Sequence, residues 1–185
     1  MNDFILNNLK KLKKNKIPNP EIDLRILLNN SRLSKNEIIL SNFKINQINI
    51  KKFTLMLNRR LAYEPISKII NKKSFWKDDF YVNQFVLDPR PETEFVIEEC
   101  QKNFNDKKTN LKILDIGTGS GAIAISLARE FENADILAID ISEDAIKVAN
   151  KNIIDKQLHN QIKLKKTTID SINQKFDLIV SNPPY

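Results

Sequence analysis

Apolar positions in the first sixty residues recur at helical intervals. Ile5, Leu9 and Leu12 mark one amphipathic segment, and Leu24, Leu27 and Leu28 mark a second. Ile50, Phe53, Leu57 and Leu61 mark a longer third segment, which must end before Pro65. Asn19, Pro20 and Glu21 supply the second segment with a cap, a first-turn proline and a first-turn acid. Ser34 and Glu37 have capping-box spacing and predict another short helix over residues 38–40. The pattern predicts a small helical bundle with a core too small for high stability alone.

The pattern then changes. Phe75, Trp76, Phe80, Tyr81, Val82, Phe85, Val86 and Leu87, broken by two polar stretches, predict a β-hairpin within residues 74–87. A helix is predicted from residue 91 to about 104, followed by a polar run over 105–110. Beyond it, strands at 111–116, 135–140, 161–165 and 176–180 alternate with helices at 121–131 and 142–152. Such alternation predicts a parallel sheet covered by helices. The expected organisation is α/β: a helical domain over 1–73, a hairpin connector over 74–90, and a doubly wound Rossmann-like domain over 91–185.

Composition narrows the possibilities. The chain has 185 residues, 41% of them hydrophobic, and no apolar run long enough for a membrane span. Residues 1–16 lack a secretory signal, so a cytoplasmic protein is expected. The single cysteine, Cys100, shares a helical face with Val96, Ile97 and Phe104 and reads as packing. The one histidine, His159, has neither a cysteine nor a second histidine nearby, so neither a metal site nor a Ser-His-Asp triad is expected. The net charge of +7 is uneven: residues 1–87 carry 17 basic against 7 acidic side chains, and residues 88–185 carry 13 against 16. Since 24 of the 30 basic residues are lysine, the excess reads as solvated surface, and direct nucleic-acid binding is not expected.

All three glycines of the chain fall in "ILDIGTGSGAIAISLA", where a strand turns into a helix. Gly117, Thr118, Gly119, Ser120 and Gly121 form a turn that a ligand can approach closely. Gly117, Gly119 and Ala122 also satisfy the loose dinucleotide pattern, which leaves NAD open. Asp140, at the end of the second strand and 19 residues past Gly121, can accept hydrogen bonds from two ribose hydroxyls. Turn and acid together indicate an adenosyl cofactor.

The stretch "SNPPY" carries the chemistry. An amide or aromatic amine nitrogen has delocalised its lone pair, and two acceptors placed on its two N–H bonds disturb that resonance. Asn182 offers a side-chain carbonyl and Pro183 a backbone carbonyl held by its ring. Tyr185 can cover a flat amide. Preorganised acceptors of this kind favour the transition state for methyl transfer and need no histidine base.

At these residues the sequence resembles a known family. "DIGTGSG", "LAID" and "NPPY", preceded by "VLDPRPETE" and "EPISKIINKKSFW", look like a bacterial release-factor glutamine methyltransferase. The resemblance implies S-adenosylmethionine as cofactor and the glutamine of the Gly-Gly-Gln loop of peptide chain release factors as substrate. It implies that residues 117–121 and Asp140 hold the cofactor, with Ile169 near its adenine and Asn182 beside the methyl donor. It further implies that Asn182, Pro183, Pro184 and Tyr185 hold the glutamine, that residues 1–73 recognise the protein substrate, and that the complete protein is a monomer.

The sequence departs from the family pattern in four places. Thr168 and Ile169 stand where an acid and an aromatic are usual, with Asp170 one step beyond; Asp88 replaces an apolar residue; Asn71 replaces a glycine; and the family's sheet continues past NPPY. The last departure predicts a poor enzyme with an unpaired sheet edge. Two rival readings are an adenine-N6 nucleic-acid methyltransferase, which shares NPPY, and a silent chain that binds only cofactor or a partner. Nothing here resembles a hydride-transfer site.

Overall fold

The computed structural model describes residues 2–183. It divides into two compact units, Met1–Ile70 and Asn71–Tyr185. No helix among the described residues is long and apolar enough to cross a membrane.

The first unit is helical: α1 (Asp3–Lys14), α2 (Pro20–Ser31), α3 (Ile50–Leu61) and α4 (Ile66–Ile70). The sequence-predicted stripes meet in its core, where Ile5, Leu12, Leu24, Leu27, Leu28, Phe53 and Leu57 are buried. Arg60 of α3 donates to Asp23 of α2 at 2.6 Å, an ion pair largely withdrawn from water. Two local expectations fail. Pro20 opens α2, but the Asn19 side chain makes no capping bond. No helix forms over 38–40; a single 3-10 turn, Leu40–Asn42, stands instead. The cause is Asn29, whose Oδ1 accepts the Ile38 amide at 2.9 Å and diverts it from a helical ladder.

The second unit begins with a hairpin, β1 (Lys73–Phe75) and β2 (Asp78–Phe80), shorter than the aromatic pattern predicted. Pairing stops at Tyr81 because other groups take the backbone. Asn152 bonds both the amide and the carbonyl of Tyr81, and Asn71 does the same for Val82. Asn71 itself has φ +53°, a left-handed conformation that asparagine tolerates better than other non-glycine residues.

A 3-10 turn, Pro91–Thr93, leads into α5 (Glu94–Asn103). The alternating elements follow: β3 (Lys112–Ile116), α6 (Ala122–Glu130), β4 (Asp135–Asp140), α7 (Glu143–Asp155), β5 (Ile162–Lys166) and β6 (Leu178–Ser181). The last four strands form a parallel sheet in the order β5-β4-β3-β6, as the Rossmann-like expectation requires. In register, Ile113, Ile136, Ile162 and Leu178 share one face, and the first three are buried in the core that also holds Ile125 and Val148 from α6 and α7. On the other face Ile179 is 57% exposed.

Cys100 is buried in the same core, as its helical spacing predicts. Glu130, at the end of α6, is 2% exposed, yet four donors reach it. Trp76 Nε1 lies at 2.7 Å, Lys77 Nζ at 2.5 Å, Gln101 Nε2 at 2.6 Å and Lys107 Nζ at 3.4 Å. This one carboxylate ties the hairpin, α5 and the polar run to α6.

Candidate functional site

The site is assembled where the sheet order reverses. β3 runs outward to β4 and β5, while its other neighbour is β6, the last strand in sequence, and such switch points leave a crevice at the carboxyl ends of the strands. Ile116, the last residue of β3, pairs with Ser181, whose hydroxyl donates to the Ile116 carbonyl at 3.0 Å. Gly117 and Asn182, the next residue on each strand, therefore leave the sheet side by side.

The glycine turn is pinned from below. The amides of Gly117 and Thr118 both donate to the Ile139 carbonyl of β4, each at 2.9 Å. Gly117 has φ +71°, and a Cβ there would meet nothing within 4 Å, so the turn needs a left-handed residue and leaves open space over it. Gly121 is left-handed too, at φ +79°, and a Cβ there would make only ordinary contact, 3.4 Å from the Ala149 and Ile125 side chains, so the backbone and not the space calls for glycine.

Asp140 ends β4 as predicted. Its Oδ2 accepts the Gly119 amide at 3.0 Å and its Oδ1 accepts the Ser142 amide at 2.9 Å. The cap of α7 is Ser142, whose hydroxyl accepts the Ala145 amide at 3.2 Å. Asp140 thus braces the glycine turn, and each carboxylate oxygen keeps a lone pair for a ligand hydroxyl.

Two cavities meet at Asn182. The first, of about 60 Å³ and so a small recess over the turn that Asp140 does not line, is walled by Gly117, Thr118, Gly119, Ser120, Ala122, Leu87, Thr93 and Asn182. The second, of about 630 Å³, is walled by Leu87, Arg90, Glu92, Thr93, Val96, Asn182 and Pro183. Leu87, Thr93 and Asn182 line both, and Asn182 Nδ2 donates to Thr93 Oγ1 at 2.9 Å. The structure thus joins the NPPY stretch to the Arg90–Glu94 stretch, 89 residues away. Ile169 lies in a short turn after β5, 43% exposed, and lines neither cavity. Pro184 and Tyr185 lie outside the described residues.

Sequence reasoning missed three site residues. Asp115, at the centre of β3, is 1% exposed; its Oδ2 accepts the Thr118 hydroxyl at 2.6 Å, and its Oδ1 has no partner. Burial raises its pKa to about 6; the Thr118 hydroxyl and the Ala124 amide pull it back, and the Asp140 charge adds to the rise. Asn152 of α7 donates to the Ser120 carbonyl at 2.8 Å while holding Tyr81. Thr93 is the third. Asp115 opens "DIGTGSG" and Thr93 lies within "VLDPRPETE", so both stood in quoted motifs without a role of their own; no local signal marks Asn152.

These residues fit an adenosyl cofactor. The turn is open where a Cβ would otherwise stand, and Asp140 presents acceptors beside it.

Residues 91–185 match the family described as methyltransferase small domain. A release factor glutamine methyltransferase of Flavobacterium psychrophilum is 41% identical, over 83% of this chain and 55% of its own length. A second, of Haemophilus influenzae, is 36% identical over 94% and 64%. A bifunctional methyltransferase of Rickettsia typhi is 40% identical over 98% and 39%. The chain thus spans less than two thirds of the length of these curated relatives. Among solved structures, ribosomal protein L11 methylase of Lactobacillus delbrueckii subsp. bulgaricus aligns with TM-score 0.47 and 27% identity, covering 55% of this chain and 51% of that one. The similarity to release-factor glutamine methyltransferases expected from the motifs is found at 36–41% identity. The chain belongs to the methyltransferase small domain family.

Proposed function

We propose that this chain binds S-adenosylmethionine and methylates the side-chain amide nitrogen of a glutamine, that of the Gly-Gly-Gln loop of peptide chain release factors. The observation that carries the reading is the shared wall. Asn182 lines both the cavity over the glycine turn and the larger cavity beyond it, so a donor in one and an acceptor in the other would meet at this side chain.

In this reading residues 117–121 and Asp140 hold the cofactor. When bound, it supplies an electrophilic methyl carbon whose bond to sulfur breaks with the electron pair kept by sulfur. Asn182 Oδ1 and the Pro183 carbonyl accept the two N–H bonds of the glutamine amide and draw its nitrogen toward a tetrahedral shape. The two acceptors stabilise charge that develops only as the nitrogen reacts, and the nitrogen, once bonded to the methyl carbon, releases one of its two protons to solvent. Residues 1–73, which hold the basic excess, serve substrate recognition.

The test incubates the protein with labelled S-adenosylmethionine and, separately, a bacterial release factor and an adenine-containing DNA duplex, with products read by mass spectrometry. One added methyl on the glutamine of the Gly-Gly-Gln peptide is expected. Label in adenine, or none on the release factor, overturns the reading.

A further inference from the structure

Thr93 closes the 3-10 turn Pro91–Thr93, which runs directly into α5 at Glu94, so its hydroxyl is not needed to cap the helix. Thr93 makes no side-chain capping bond and has αR angles (φ −71°, ψ −17°), with its own amide donating to the Arg90 carbonyl at 2.9 Å. Its buried hydroxyl instead receives Asn182 Nδ2. The hydroxyl thus serves a side chain 89 residues away on another element.

A primary amide has a donor end and an acceptor end, and a half-turn about its last bond exchanges them. An asparagine that acts by accepting must keep its oxygen toward the substrate. We infer that Thr93 is a positioning residue, which anchors the Asn182 amide by its nitrogen in the partition and leaves Oδ1 free to meet the acceptor nitrogen, whose own NH2 group favours that orientation. The inference rests on the glutamine reading for its catalytic consequence. The opposite orientation would set an NH2 group against the NH2 of the substrate, donor against donor, so anchoring by Thr93 and selection by the substrate act in the same direction. Thr93 also lines both cavities and therefore holds Asn182 within the partition.

The test uses two variants and two measurements. Thr93→Val keeps the shape and removes the hydroxyl; Thr93→Ser keeps the hydroxyl. With release factor as substrate, Thr93→Val should lower kcat about 3- to 10-fold, the scale of one lost hydrogen bond. KM for S-adenosylmethionine should stay unchanged, and Thr93→Ser should restore kcat. Independently of any substrate, the side-chain NH2 resonances of Asn182 are followed by 15N NMR, assigned by their loss in Asn182→Ala. Slowed hydrogen exchange is expected in the unsubstituted and Thr93→Ser proteins and its loss in Thr93→Val. An Asn182 amide that exchanges alike in all three overturns the anchoring, and a Thr93→Val enzyme with unaltered kcat overturns its catalytic consequence. If the unsubstituted protein fails to methylate glutamine while its amide is protected, the glutamine reading falls and the anchoring stands.

Discussion

The Asn152 side chain of α7 donates to the carbonyl of Ser120 at 2.8 Å while holding the amide of Tyr81 at 2.7 Å and its carbonyl at 3.0 Å. With 1% of its surface exposed, this one amide joins the glycine turn to the exit of the hairpin. Asn152→Leu keeps much of the volume and strands three backbone groups. It should lower unfolding free energy by about 2–4 kcal/mol in urea titrations. It should also weaken S-adenosylmethionine binding measured by calorimetry. A stable variant with normal affinity would show that the turn holds itself.

Asp140→Ala removes the acceptor of the Gly119 amide and the proposed ribose contact together. Cofactor binding should weaken by roughly 1.5–3 kcal/mol, the scale of hydrogen bonds to a charged group. Calorimetry reads it directly, and unaltered affinity counts against Asp140 as a cofactor residue.

Asp115 predicts a pH dependence. Its folded pKa, about 6, lies above the ordinary value of 3.8. Its contribution to stability is therefore fully present below the ordinary value and is lost as pH rises through about 6. At neutral pH the buried charge costs about 2–3 kcal/mol. Asp115→Asn, which can still accept from Thr118, should be the more stable protein at pH above 7, with the gap closing near the ordinary carboxylate pKa. A constant gap across the titration would show that the charge is not the cause.

Glu130 predicts the opposite slope. Burial opposes its charge, but Lys77, Trp76 and Lys107 more than offset it, and its pKa lies below the ordinary carboxylate value. Its contribution is present above that ordinary value and is lost as pH falls through the lowered one. Glu130→Gln turns an NH2 group toward lysines whose side chains stay largely in water and should cost about 1–3 kcal/mol at neutral pH, the scale of hydrogen bonds to a charged group. The deficit should shrink in acid. Urea unfolding of both proteins across pH measures it.

The strands were legible because four short apolar runs sit between helical patterns, and β4 falls at residues 135–140 as the pattern predicts. The glycine turn, Asp140 and Asn182 were legible because local spacing marks a strand end. Thr93, Asn152 and Glu130 were not, since each gains its role from partners distant in sequence. The hairpin was overextended for the same reason: Asn152 and Asn71 claim the backbone that aromatic residues would otherwise have paired. The Ser34–Glu37 pattern misled because only three apolar residues follow it. That is too short a stretch to offset the cost of nucleating a helix, and Asn29 offers the Ile38 amide a ready alternative.

The pairing of β3 carries a consequence for the order of assembly. Ile113 pairs on one side with Ile136 and on the other with Leu178, so the second partnership closes a much longer loop than the first. Loop closure grows costlier with separation, and distant pairings dominate the slow steps of folding. The chain therefore brings together the glycine turn and Asp140 from near neighbours, and Asn182 is seated by the most distant strand pairing in the sheet. Refolding followed by a probe on α7 should run ahead of refolding followed by a probe beside Asn182. The asparagine that chemistry requires would then be the last part of the site to arrive.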